Sequence, residues 1–186
     1  MSDLPLGLAA LQREWAAGRK LPPVEKWNPA HCGEIDIRIA RDGAWFHQGR
    51  PILRHELIRL FSTILRKEGN AFYLVTPAEK MRIQVEDAPF LAVLLEVRGN
   101  GRDQQLAFTT NAGDEVMADA EHQIRVEAVP ETAEPSPYIH VRAGLEARIS
   151  RNVFYQLADI AIAHQTEFAG PLGVWSGGIF FPIGAA

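Results

Sequence analysis

Five short glycine turns constrain this chain most. Asp42-Gly43, Asn100-Gly101, Ala112-Gly113, Ala143-Gly144 and Gly177-Gly178 each stand between runs of strand length. Such connections need positive φ, which glycine adopts without steric cost and Asn or Asp tolerates. They also set the sense of pairing. Strands joined by tight turns pair antiparallel, because parallel neighbours need a crossover of a dozen residues or more. Helical patterns interrupt the strands at only a few places, so the class expected is α+β with antiparallel sheets.

The strand pattern starts at Glu34, where Ile35, Ile37 and Ile39 alternate with Asp36, Arg38 and Ala40. Ala44, Trp45 and Phe46 begin a return strand that Gly49-Arg50-Pro51 breaks. Apolar residues Leu57, Ile58, Leu60, Phe61, Ile64 and Leu65 then predict a helix from about Arg54 to Lys67, ended by Gly69. Phe72–Thr76 and Met81–Val85 read as two more strands. Phe90–Val97 is almost wholly apolar and is expected to be buried on both faces. Gln105–Thr109 and Glu121–Val129 continue the strands, and Glu131–Pro137 reads as an exposed connector. Tyr138–Val141 and Leu145–Ile149 form the next pair. A helix follows from about Arg151 to Ala163, and Gly173–Ser176 and Ile179–Phe181 close the chain. Trp45, Phe46, Leu57, Phe61, Phe154, Leu157 and Trp175 are the expected core.

The order strand-strand-helix-strand-strand thus occurs twice. Ile52 and Ile149, Arg54 and Arg151, Leu57 and Phe154, and Leu60 and Leu157 match at one offset. The expected organisation is an N-terminal helix and Pro/Trp segment over residues 1–33, a first α+β repeat unit over 34–88, a β-meander and acidic connector over 89–134, and a second repeat unit over 135–186. In the first of these, Leu4, Leu8, Leu11 and Trp15 fall at helical spacing. Pro22, Pro23 and Pro29 then hold the chain extended.

Several segments stand out together: Pro22-Pro23-Val24-Glu25-Lys26-Trp27-Asn28-Pro29, Asp42-Gly43-Ala44-Trp45-Phe46, and Leu60-Phe61-Ser62-Thr63-Ile64-Leu65-Arg66. Thr76-Pro77-Ala78-Glu79-Lys80, Val85-Glu86-Asp87-Ala88-Pro89-Phe90 and Gly173-Val174-Trp175-Ser176-Gly177-Gly178 follow them. In these segments the sequence resembles the bacterial family known as domain of unknown function 1285. The resemblance implies a protein of repeated α+β motifs with a role in signalling or ligand binding. It carries over no catalytic residue.

Charge and composition remove several function classes. The net charge of −4 disfavours general nucleic-acid binding, which usually needs a basic excess. Cys32 is the one cysteine, so neither an intrachain disulfide nor a Cys-rich zinc site can form. No apolar run approaches the ~20 residues of a membrane helix. The first residues lack the basic and apolar regions of a signal peptide, so a cytoplasmic location is expected. The histidines fall in no metal-ligand spacing, and no metal or cofactor is expected. Gly173-Val174-Trp175-Ser176-Gly177 has its serine one place too late for a nucleophile elbow. Glu86 and Asp87 would point to opposite faces of a strand, which makes a poor acid/base pair.

Arg54 and Arg151 each stand in the expected first turn of a helix, where a cation opposes the helix dipole. Either a carboxylate such as Glu34, Asp36 or Glu146 compensates, or a bound anion does. Arg50, His55, Arg59, Arg66 and Lys67 add a local basic patch. Trp27 is either a packing anchor or the wall of a ligand cleft. The leading expectation is a module without catalytic activity that binds a small anionic ligand or a protein partner. Two alternatives stand beside it. One is an enzyme for a small anionic substrate, with Arg54, Glu79 and Arg151 near its site. The other is an interaction protein forming a homodimer through a sheet edge or the Leu4–Trp15 helix.

Overall fold

The computed structural model describes residues 21–128, 134–165 and 170–184. The helix expected over residues 4–17 lies outside the described residues. The chain divides into two units, Met1–Asp87 and Ala88–Ala186.

In the first unit the strands are β1 (His31–Ile39), β2 (Trp45–His47), β3 (Arg50–Pro51), β4 (Leu65–Glu68), β5 (Ala71–Val75) and β6 (Glu79–Val85), with helix α1 (His55–Thr63) between β3 and β4. They form one sheet in the order β3-β2-β1-β6-β5-β4. The chain meanders out to one edge and crosses through α1 to the other. It then meanders back until β6 lies parallel beside β1. Ile37, Ile39, Trp45, Phe61 and Leu74 are buried together as the core. Phe46, next to Trp45, points the other way by the two-residue period of a strand, and carries the Arg38 guanidinium over its ring.

The second unit contains β7 (Phe90–Arg98), β8 (Gln105–Thr110), β9 (Glu115–Met117), β10 (Ile124–Ala128), β11 (Pro135–Arg142) and β12 (Leu145–Ile149). Read from one edge, its sheet is β9-β8-β7-β12-β11-β10, again with the first and last strands parallel at the centre. A flat six-stranded sheet would hold β9 and β10 roughly 24 Å apart at ~4.8 Å per strand. The link between them turns back on itself through Asp119 N–H and the His122 carbonyl, so the sheet must curl. Helix α2 (Arg151–Gln165) follows β12, and the hairpin β13 (Gly173–Ser176) and β14 (Ile179–Pro182) packs against both β8 and β10.

The class is α+β, and all five glycine turns contain a residue at positive φ. Several expectations need correction. The sheets are mixed, because each meander returns parallel to its start. The strands after the two helices do not pair alike: those after α1 join the main sheet, whereas β13 and β14 form a separate hairpin. What repeats is the six-strand order, which brings β1 into correspondence with β7, both nine residues long. Helix α1 stops at Thr63, not Lys67. Ser62 and Thr63 hydroxyls bond back to the Arg59 and Leu60 carbonyls, and Leu65–Glu68 pairs with Ala71–Val75 instead. The basic patch therefore does not lie on one helix face. Finally, β7 is buried only in its first half: beyond the residues paired with β12, Val93, Leu94 and Val97 are exposed. The expected connector is also shorter, since Pro135–Pro137 already pair with β10, where β12 does not reach and demands no donors.

Candidate functional site

A cavity of the first unit lies beside a mismatch in strand length. Along their shared ladder β1 spends nine residues where β6 spends seven. His31–Glu34 pair in step with Glu79–Arg82, and Arg38 and Ile39 pair with Gln84 and Val85. Between them Ile35, Asp36 and Ile37 face Ile83 alone, so β1 bows away. Beside this irregular stretch lies a cavity of about 320 Å³, lined by residues of β1, β5 and β6 that include Arg82–Val85.

Its walls are of two kinds. Ile35, Ala71, Phe72, Ile83 and Val85 are its apolar residues. Glu34, Arg82, Asn70 and Gln84 give polar groups. Glu34 and Arg82 face each other at 3.8 Å with side chains 79% and 59% exposed. An ion pair that long and wet is weak. The Asn70 and Gln84 amides engage no other described side chain.

The residues singled out from the sequence lie elsewhere. Arg54 caps α1 with extended backbone, and its carbonyl accepts from Leu57 and Ile58 N–H. Its side chain makes no capping bond. Arg151 opens α2 and pairs at 3.3 Å with Glu134, a carboxylate other than those expected. These two arginines belong to different units. Trp27 is held by its carbonyl, which accepts from Arg66 Nη1 at 2.7 Å; Val24 accepts from the same nitrogen at 3.2 Å. Arg66 also pairs with Glu68, and Glu68 with Lys80 at 2.9 Å. Glu79 starts β6, where its N–H donates to Thr76 Oγ1 at 3.0 Å and closes the Thr76–Glu79 turn. None of the four lines the cavity.

Other motif residues also have structural partners. Ser176 is fully buried and both donates and accepts a hydrogen bond. Glu86 accepts Arg41 N–H and pairs with Arg38, and Asp87 pairs with Arg41. The Arg41 N–H, with Arg38 beside it, holds the Glu86 carboxyl below the usual range. Among the described residues no group of three or more His, Cys, Asp or Glu side chains is arranged to hold a metal ion. Nor is any helix among them long and apolar enough to cross a membrane.

No motif marks Arg82, Asn70, Phe72 or Gln84. The one sequence signal for their cavity was the unequal length of two strands not yet known to be neighbours.

Two family models match nearly all of the chain after the N-terminal segment. Residues 22–88 match the N-terminal domain of DUF1285, a domain of unknown function, and residues 89–183 match its C-terminal domain. A crystal structure of a DUF1285 family protein from Silicibacter pomeroyi DSS-3 is 50% identical, with a TM-score of 0.84 over 97% of this chain and 96% of that one. A DUF1285 family protein from Shewanella baltica OS155 is 27% identical, with a TM-score of 0.53 over 66% of this chain and 90% of that one. No curated protein matches. With both domain models matched in sequence order and half the residues shared with a solved member over almost its whole length, this chain belongs to the DUF1285 family.

Proposed function

We propose that this protein is a binding module and that the cavity beside the bowed part of β1 is its ligand site. The observation that carries the reading is a cavity beside the irregular part of the β1–β6 ladder, with the Asn70 and Gln84 amides unused by other described side chains. Several polar residues that would suggest chemistry support it differently. Ser176, Glu86 and Asp87 are each committed to a fold-forming bond or ion pair. A fragment screen by protein-observed NMR tests the reading. Hits should shift resonances of residues 34–35, 70–72 and 82–85. Ala71→Trp, which fills the cavity from β5, should abolish them. Hits that map elsewhere, or survive Ala71→Trp, refute it.

A second reading, a homodimer through the outer half of β7, is favoured by the exposure of Val93, Leu94 and Val97 on one strand. Light scattering of wild type and Leu94→Lys separates it: a dimer lost in the variant supports it, and a wild-type monomer ends it.

A further inference from the structure

We propose that the outer half of β7 pairs with the same stretch of a second copy, antiparallel about a two-fold axis through Val97, and this rests on the homodimer reading above. β12 leaves β7 at Ala92, whose carbonyl accepts Ser150 N–H. From Leu94 to Arg98 the one strand paired with β7 among the described residues is β8. The other edge of that stretch is therefore a template for a further strand. Both of its faces are exposed. Val97 stands opposite Leu106 on one face, and Leu94, Glu96 and Arg98 point to the other.

The charges on this edge select the occupant and its register. A two-fold axis normal to the sheet sets the strand against its own reverse and keeps every side chain on its face, so the axis passes through a residue. Centred on Glu96 or on Arg98, the pairing would set like charges directly opposite, which is destabilising. Centred on Leu95, it would set Glu96 against Leu94. A centre nearer Ala92 runs into β12. Centred on Val97, it sets Glu96 opposite Arg98 of the second copy, twice, and the two valines meet on the axis. Within each copy Arg98 already pairs with Glu96 at 2.8 Å and with Glu115 at 3.3 Å. The pairing closes the two Glu96–Arg98 pairs into a ring of alternating sign. A strand of another protein would have to reproduce this order of charges, whereas a second copy does so by symmetry.

Two measurements on the full chain decide the matter. The first is sedimentation equilibrium of charge variants. Glu96→Arg and Arg98→Glu each set like charges opposite and should weaken the dimer by roughly tenfold or more, and the double exchange should restore it. Both positions are exposed, so the variants keep the fold. The second is oxidation of single-cysteine variants in a Cys32→Ser background: Leu95→Cys, Glu96→Cys, Val97→Cys and Arg98→Cys. Directly opposed Cβ atoms stand about 4.5–5.5 Å apart, close to disulfide reach, whereas diagonal ones are too far. Val97→Cys alone should give a covalent dimer. A dimer that cross-links through another position, or that survives Glu96→Arg, or that the double exchange fails to restore, overturns the Val97 axis and leaves the homodimer reading. A wild-type monomer overturns both.

Discussion

Ser176 Oγ donates to the Ala118 carbonyl at 2.7 Å from a side chain with no exposed surface. The same oxygen accepts Leu106 N–H at 3.0 Å, so one hydroxyl fastens the β13–β14 hairpin to β8 and to the end of β9. Gln104 reinforces it, its side-chain amide donating to the Trp175 carbonyl at 2.8 Å. Ser176→Ala leaves a buried donor and a buried acceptor unmet, which costs about 1–3 kcal/mol each where neither is rescued. A fall of more than 1 kcal/mol in urea-unfolding free energy is expected. No change would mean that the Ser176 hydroxyl is not needed to hold the hairpin.

Arg66 plays the corresponding part in the first unit. Its guanidinium reaches the carbonyls of Trp27 and Val24 and the carboxylate of Glu68. Arg66→Met should release residues 22–28 while β4 stays paired. Hydrogen exchange should report it, with the Trp27 amide, now bonded to the Val24 carbonyl at 3.1 Å, losing protection first. Arg66→Lys should rescue little, because an ammonium cannot span three acceptors in one plane.

These two anchors show which parts of the fold are legible in the sequence. Asp42-Gly43 announces its hairpin because the residues that make the turn lie within it: Gly43 has φ 82° and Asp42 Oδ1 accepts Ala44 N–H. The end of α1 is not legible in the same way. Ile64 and Leu65 continue the helical period, yet Leu65 is claimed by Leu74 across a ladder. The parallel pairing of β1 with β6 depends on residues more than forty positions apart, and the cavity depends on that pairing. Arg82 and Glu34 become a pair only once the register is known. Helix offset was a poor guide to the repeat for the same reason: apolar residues at helical spacing match any two amphipathic helices, whereas the repeated feature is strand order.

Acid should weaken the first unit through named carboxylates. Lys80, then Arg66, hold Glu68 below the usual carboxylate range, and the Arg41 N–H and Arg38 do so for Glu86. A carboxylate whose pKa is lower folded than unfolded adds stability that is present above its unfolded pKa and is lost as pH falls through the folded one. Glu68 in turn raises Lys80, whose contribution is complete below the unfolded lysine pKa and fades as pH rises through the higher folded value. Stability should therefore decline below about pH 4 and again above about pH 10.5. In Glu68→Gln both limbs should flatten when the midpoint of urea unfolding is followed against pH. A profile unchanged by Glu68→Gln would remove this pair from the account.

Gly173 tests how closely β13 and β14 approach. A Cβ on Gly173 would lie 2.5 Å from the Phe181 carbonyl oxygen and would also strike the Phe180 ring. The ring could turn, but the carbonyl belongs to the ladder that pairs Val174 with Phe181. Gly173→Ala should cost roughly 1–3 kcal/mol, as overpacked sites do. The neighbouring Gly178 meets nothing within 4 Å, but at φ 78° its alanine variant is strained by conformation instead. Equal tolerance of alanine at Gly173 and at an open surface position would show that the hairpin can spread.

Arg54 is an unfavourable residue for its position. It sits at the N-cap of α1 with no side-chain bond to the helix, where a short acceptor is preferred and a cation opposes the dipole. Arg54→Asp supplies both an acceptor for a first-turn N–H and a charge of the favourable sign. It should raise stability by about 0.5–2 kcal/mol. Arg151→Asp is the contrasting case, because that arginine already has Glu134 at 3.3 Å and the change would set two acids together. It should give no gain. Thermal unfolding of both variants, with and without phosphate, reads the difference. If Arg54 holds an anion, phosphate should stabilise wild type and the effect should disappear in Arg54→Asp. If it is merely a poor cap, the variant should melt higher and phosphate should change neither protein.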